Sequence, residues 1–149
     1  MAPAQFIAGL FSRWRSNTSL SDPEPAHLRL GRLGEQLAAR HLRRNGFKVL
    51  YRNFRPPHGG EIDLVCREKK TLVFVEVKTR AADGLGRPAD AVDTGKEEAI
   101  MRGAAEWMRL LKAPATPVRI DIVEVIIPKK GRPRITLTRD ALAFTGGDW

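Results

Sequence analysis

Two short stretches of this 149-residue chain carry side chains whose types and spacing suit phosphoryl chemistry. They are Gly60-Glu61-Ile62-Asp63-Leu64-Val65 and Phe74-Val75-Glu76-Val77-Lys78-Thr79-Arg80. Residues 61–67 and 71–79 read as strands separated by the polar Glu68-Lys69-Lys70. A two-residue turn at Lys69-Lys70 pairs Glu68 with Thr71, and that register sets Asp63 opposite Glu76. By parity, one face then carries Ile62, Leu64 and Cys66 against Val77, Val75 and Val73, all apolar. The other carries Asp63, Val65 and Arg67 against Glu76, Phe74 and Leu72, with Lys78 following Glu76. Carboxylate oxygens bind Mg²⁺ or Mn²⁺, which take oxygen ligands and keep waters that a phosphate can displace. A lysine two residues along the same strand points to the same side. There it can orient, or help deprotonate, a water for in-line attack on phosphorus. Glu-x-Lys on a strand is common, and by itself is more often a structural Glu76–Lys78 ion pair beside a solvated Asp63 than a catalytic motif. The specificity lies in its conjunction with a Gly-Glu-Ile-Asp strand start, a hairpin and a glutamate on the preceding helix.

That helix is predicted over residues 27–45, closed by Asn45-Gly46 as a left-handed cap. At 100° per residue its Leu28, Leu30, Leu33, Leu37, Ala38, Ala39 and Leu42 spread over one broad side, and Arg29, Arg32, Gln36, Arg40 and Arg43 form a neighbouring stripe. Glu35 falls on the apolar side, where a carboxylate needs a partner or a cation to offset its desolvation. The alternative is that Glu35 swivels outward to pair with Arg32 or Arg43. Phe47, Val49 and Tyr51 then alternate with Lys48, Leu50 and Arg52 in a first strand, and Pro56-Pro57-His58-Gly59-Gly60 reads as a loop. Beyond the hairpin, Arg80–Gly95 is polar and glycine-rich. Thr94 and Glu97 suit a capping box opening a helix to about Lys112, whose apolar side includes Ile100, Met101, Ala104, Trp107, Met108 and Leu111. Strands over Pro117–Ile127 and Pro133–Thr138 complete an α-β-β-β-α-β-β order, which implies an α/β fold with a mixed sheet and a helix on each side.

Charge and composition narrow the partner class. The chain has 26 Lys+Arg against 17 Asp+Glu, a net +9. Residues 27–60 hold Arg29, Arg32, Arg40, Arg43, Arg44, Lys48, Arg52 and Arg55 against Glu35 alone, so most of the excess sits on the first helix and strand. A block this concentrated reads as a docking surface for a polyanion, with nucleic acid first and an anionic membrane surface second. No apolar run approaches the roughly 20 residues a bilayer span needs. The single Cys66 excludes a disulfide framework and a thiolate zinc site, and suits a reducing, cytoplasmic setting. Residues 1–26 read as an N-terminal extension. Its apolar stretch over Phe6–Phe11 precedes Arg13 and Arg15, the reverse of a secretory signal. The domain proper is expected over residues 27–140, with 141–149 as a tail. His27, His41 and His58 lack ligand spacing, although His58 lies before the acidic strand and is a candidate phosphate contact. Lys96, near a helix start, reads first as a solvated lysine.

Taken together, Gly34-Glu35, Asn53, Gly60-Glu61-Ile62-Asp63-Leu64, Phe74-Val75-Glu76-Val77-Lys78-Thr79-Arg80, Lys96 and Arg119-Ile120-Asp121-Ile122-Val123 resemble the YraN family of small bacterial proteins, over about residues 28–127. That family looks like a branch of the restriction-endonuclease-like PD-(D/E)xK nuclease superfamily and is similar in its core to archaeal Holliday-junction resolvases. The resemblance implies Asp63 and Glu76 as metal ligands, the Val77 carbonyl as a further ligand, Lys78 as the catalytic lysine and Glu35 as an accessory acid. Ile62 stands where the superfamily's nominal motif has proline. The expected function is Mg²⁺- or Mn²⁺-dependent cleavage of DNA, including branched or junction DNA, with Arg29, Arg32, Arg40, Arg43 and Arg80 on the backbone. A non-cleaving nucleic-acid-binding accessory on the same fold is the alternative, and peripheral membrane attachment through Phe6–Phe11 and the basic first helix a third. Resolvase-like relatives act as dimers, which makes a homodimer an expectation of the resemblance, though no residue marks a dimer face.

Overall fold

The computed structural model describes residues 23–83 and 94–144. The expected N-terminal extension up to residue 22, most of the expected loop after the hairpin and the end of the tail lie outside these residues. The elements run α1 (Ala26–Arg44), β1 (Lys48–Phe54), β2 (Ile62–Glu68), β3 (Thr71–Ala81), α2 (Thr94–Leu111), β4 (Val118–Ile127) and β5 (Arg134–Leu142). The predicted order holds, and β5 continues past the expected Thr138.

Helix α1 ends as its sequence requires. Gly46 adopts a φ of +88°, the Phe47 N–H donates to the Leu42 carbonyl and the Gly46 N–H to the Arg43 carbonyl, which satisfies carbonyls that the helix leaves without partners. Phe47 and Leu42 then bury together. His41, Arg43 and Arg44 occupy the last turn, where cations complement the helix dipole.

The five strands form one sheet in the order β1-β2-β3-β4-β5. Neighbours are antiparallel except β3 and β4, which are parallel; that pairing needs a crossover, and α2 lies within it. The β2/β3 register is the predicted one, from Glu68 opposite Thr71 to Leu64 opposite Val75. One core gathers Ala38, Ala39 and Leu42 of α1 against Leu64, Cys66, Val73, Val75, Val123 and Val125. The other sets Ile100, Ala104, Trp107 and Met108 of α2 against Phe54, Ile62, Val65, Phe74 and Ile120, with Leu142 and Phe144 at its margin.

Two expectations about facing are corrected. Val49 and Tyr51 do not share a face: a bulge between them leaves Val49 opposite Cys66 and Tyr51 opposite Val65, because one inserted residue resets the alternation. Tyr51 therefore packs 5.8 Å from Trp107. Ile62 does not join Leu64 and Cys66 either. It turns with its cross-strand partner Phe54 into the α2-side core, next to Asn53 in the left-handed region at φ +53°.

Glycine is required where α1 lies on β3. A Cβ on Gly34 would come within 1.8 Å of Thr79 Oγ1, so α1 approaches the strand on its backbone. Gly34→Ala is expected to lower stability by about 1–3 kcal/mol through overpacking, read as a lower urea midpoint. An unchanged midpoint would mean that this approach is not tight in solution.

The start of β4 carries a buried charge. Asp121 has no exposure; it accepts from Arg119 Nε at 2.7 Å, from Arg119 Nη2 at 2.9 Å and from the Asp140 N–H at 2.9 Å. Arg119 Nη2 also donates to Glu68 at 2.7 Å, and Arg139 donates to Glu68 at 2.9 Å.

Candidate metal centre

The start of β2 is pinned by backbone contacts. Gly60 has a φ of +100°, and a Cβ there would meet the Gly103 nitrogen of α2 at 2.4 Å, so only glycine lets strand and helix approach this closely. The Glu61 N–H donates to the Ala99 carbonyl at 3.0 Å. The Glu61 carboxylate accepts from Arg55 Nη2 at 2.8 Å and Nε at 3.2 Å. This anchoring fixes the next residues of β2 against β3.

Asp63 and Glu76 meet there, each 4% exposed. The Val77 N–H donates to Asp63 Oδ2 at 2.8 Å, so the hairpin holds the aspartate with its own backbone. Burial raises the proton affinity of Asp63, against the hydrogen bonds from Val77 and Glu76 that lower it. Burial first and the Asp63 charge second push Glu76 up to about 8. The two carboxyls hydrogen-bond each other in the sense that protonates Glu76 and ionises Asp63. Two acids share a dry site in which both cannot ionise cheaply.

The surroundings supply one cation and one further acid. Lys96 of α2 places Nζ 3.4 Å from Glu76 Oε1, with its side chain half exposed. Burial opposes its charge, but Glu76, Asp63 and Glu61 outweigh it and the ammonium is held more firmly protonated. Sequence reasoning passed over this partner; its signal was a lysine close to a helix start, where the dipole disfavours cations. Glu35 reaches toward the same pair from α1. Burial raises its proton affinity, as does the Asp63 charge, while a hydrogen bond from Asn53 and the charge of Arg55 lower it. Glu35 hydrogen-bonds with Asn53 and Arg32 pairs with Glu24, so Glu35 does not take Arg32, one of the two outward partners, Arg32 and Arg43, that the sequence left open.

Lys78 is exposed on β3, on the Glu76 side by strand alternation and opposite Glu124 of β4. Val77 lies between Glu76 and Lys78 with its amide committed to Asp63. Arg29, Arg32, Arg40 and Arg43 are exposed on α1, and Arg80 is half-buried, 3.9 Å from Glu124. His58 is exposed and acts electrostatically on Glu106.

Among the described residues, no three His, Cys, Asp or Glu side chains are grouped closely enough to hold one ion between them. The carboxylates that meet are the Asp63 and Glu76 pair, with the Asp63 charge acting on Glu35. Two buried, mutually repelling carboxylates fit Mg²⁺ or Mn²⁺, which bind through one or two carboxylates and leave the remaining positions to water and phosphate. No helix among the described residues is long and apolar enough to cross a membrane.

A family model described as "Uncharacterised protein family UPF0102" matches residues 34–125, a span that contains Glu35, Asp63, Glu76, Lys78 and Lys96. The chain is 44% identical to the UPF0102 protein of Rhodococcus opacus (strain B4) over 115 residues, 77% of this chain and 97% of the relative. It is 44% identical to the UPF0102 protein of Beutenbergia cavernae over 106 residues, 71% of this chain and 89% of the relative. Against the UPF0102 protein of Koribacter versatilis (strain Ellin345) it is 39% identical over 124 residues, 83% and 85% of the two chains.

Proposed function

The chain belongs to the uncharacterised, YraN-like protein family UPF0102, and from that premise we propose that it is a divalent-metal-dependent endonuclease acting on DNA phosphodiester bonds, branched or junction DNA included. The observation that carries this reading is the burial of Asp63 and Glu76 side by side on adjacent strands, with Lys78 following on the Glu76 side. The resemblance to PD-(D/E)xK nucleases and archaeal junction resolvases supports the same roles.

A Mg²⁺ or Mn²⁺ ion held by Asp63 and Glu76, with the Val77 carbonyl as the further ligand the resemblance implies, would supply Lewis acidity at the scissile phosphate. Lys78 orients the attacking water with its ammonium and balances charge that develops on phosphate oxygens. Glu35, made more basic by burial and by Asp63, suits uptake of the water's proton as the new P–O bond forms and the ester oxygen departs. Arg29, Arg32, Arg40, Arg43 and Arg80 grip the backbone, which makes binding salt-dependent through counterion release.

The test is incubation of purified protein with linear, flapped and four-way-junction DNA, in Mn²⁺ and in chelator. Cleavage is expected only with the ion. Asp63→Ala and Lys78→Ala are expected to lower it about 100-fold or more, with binding retained. A second reading, a non-cleaving nucleic-acid-binding protein, is favoured by one observation: the Lys96 ammonium already sits against the Asp63 and Glu76 pair and offsets its negative charge. Binding without cleavage on every substrate would select it.

A further inference from the structure

The ion pair between Lys96 and Glu76 bears on how the proposed centre is loaded, a question that rests on the metal-dependent reading of the site. Glu76 is almost completely buried, and its ion-pair partner among the described residues is Lys96, at 3.4 Å. The ammonium also acts on Asp63 and Glu61, so it sits where the field of the acidic group is concentrated. Lys96 is in the first turn of α2, where the helix dipole works against a positive side chain. A solvated lysine would have no reason to lean from that position onto a buried carboxylate. Its stem is flexible and half exposed, so the head can leave Glu76 without disturbing the core.

We propose that Lys96 is an exchangeable counter-ion that competes with the divalent cation for Glu76 and, when displaced, passes its ammonium to a phosphate of the bound nucleic acid. An ammonium within contact distance of Glu76 and a divalent ion coordinated by Glu76 are alternative partners, because two cations on one carboxylate oxygen repel each other at short range. Lys96 therefore weakens metal binding to the free protein. A phosphate beside the site removes that penalty by giving the displaced ammonium a new anion. Metal and nucleic acid consequently bind with positive coupling, each raising the affinity for the other by the same factor. The device keeps the centre poorly loaded until substrate arrives.

The experiment measures Mn²⁺ affinity by electron paramagnetic resonance and calorimetry for the full chain, Lys96→Met, Lys96→Arg and Asp63→Asn. Each is measured alone and with a duplex carrying uncleavable phosphorothioate linkages. Without DNA, Lys96→Met is expected to bind Mn²⁺ about 5-fold or more tightly than the unmodified chain, and Lys96→Arg about equally, a change within the usual range of coupling between sites. DNA is expected to tighten Mn²⁺ binding in the unmodified chain by a similar factor and to leave Lys96→Met unchanged. Mn²⁺ binding that Asp63→Asn abolishes but Lys96→Met leaves equal or weaker overturns the counter-ion role and spares the metal centre. No Mn²⁺ binding by any of the proteins overturns the metal centre itself, and the exchange with it.

Discussion

Arg119→Met is expected to lower folding stability by about 3–5 kcal/mol, a large part of the 5–15 kcal/mol typical of a small domain. Asp121 is wholly inaccessible, and two of its three hydrogen bonds come from the Arg119 guanidinium. Methionine fills the volume of the arginine stem but leaves the carboxylate with the Asp140 N–H alone. A buried charge left without its cation then destabilises the strand end. Glu68 is not orphaned, because Arg139 still donates to it at 2.9 Å, so the loss belongs to Asp121. Adding Asp121→Asn should recover more than half of the loss, since a neutral amide oxygen still accepts from Asp140. Urea midpoints of the single and double variants at pH 7 make the check. A loss below about 1 kcal/mol would place this network with exposed ion pairs.

That network was partly written in the sequence. Arg119 and Asp121 stand two apart on a strand and so share a face, around Ile120 on the other. Parity located the Asp63 and Glu76 pair in the same way, because a two-residue turn at Lys69-Lys70 leaves little freedom in the hairpin register. Lys69 takes the left-handed φ of +54° that such a turn imposes on a residue where Asn or Gly usually stands. Parity failed where its premise failed. Val49, Leu50 and Tyr51 are all good strand formers, and nothing in their types marks the bulge that sends Val49 and Tyr51 to opposite cores. Asn53 did carry a signal, since asparagine tolerates the left-handed region, and the turn of Phe54 and Ile62 toward α2 accompanies it. The pairing of Lys96 with Glu76 was illegible for a different reason. It depends on where the crossover helix docks, and docking is decided by the contact of Gly60 with Gly103 and of Ile62 with the α2 core. Strand periodicity does not encode that. The charge block fared similarly: the sequence located the α1 arginines, and the structure leaves them exposed while turning Glu35 inward toward Asn53 and Asp63.

In the presence of chelator, thermal stability is expected to fall as pH rises from about 4.5 to about 8, and Glu76→Gln is expected to remove much of that fall. Burial and the neighbouring Asp63 charge raise Glu76 from 4.5 to about 8. Between those values the folded chain retains a proton that the unfolded chain has released, so raising the pH favours unfolding. The contribution is fully present below pH 4.5 and is lost through pH 8, on the order of 5 kcal/mol at about 1.36 kcal/mol per pH unit, with the opposing pull of Lys96 already included in the value of about 8. Asp63, raised in the same direction, adds with the same sign. Glutamine keeps the donor that neutral Glu76 offers Asp63 and has no proton to lose, so the variant should match the unmodified chain near pH 4.5 and exceed it at pH 8. Saturating Mn²⁺ should reverse the slope only where Glu76 is intact, since the ion binds the deprotonated pair and stabilises by mass action. Melting temperatures of the two proteins across pH 4.5–8, in chelator and in Mn²⁺, read both effects. Superimposable chelator profiles would show that Asp63 and Glu76 do not share a strained, dry site, and with that the physical reason for a cation between these strands would be gone.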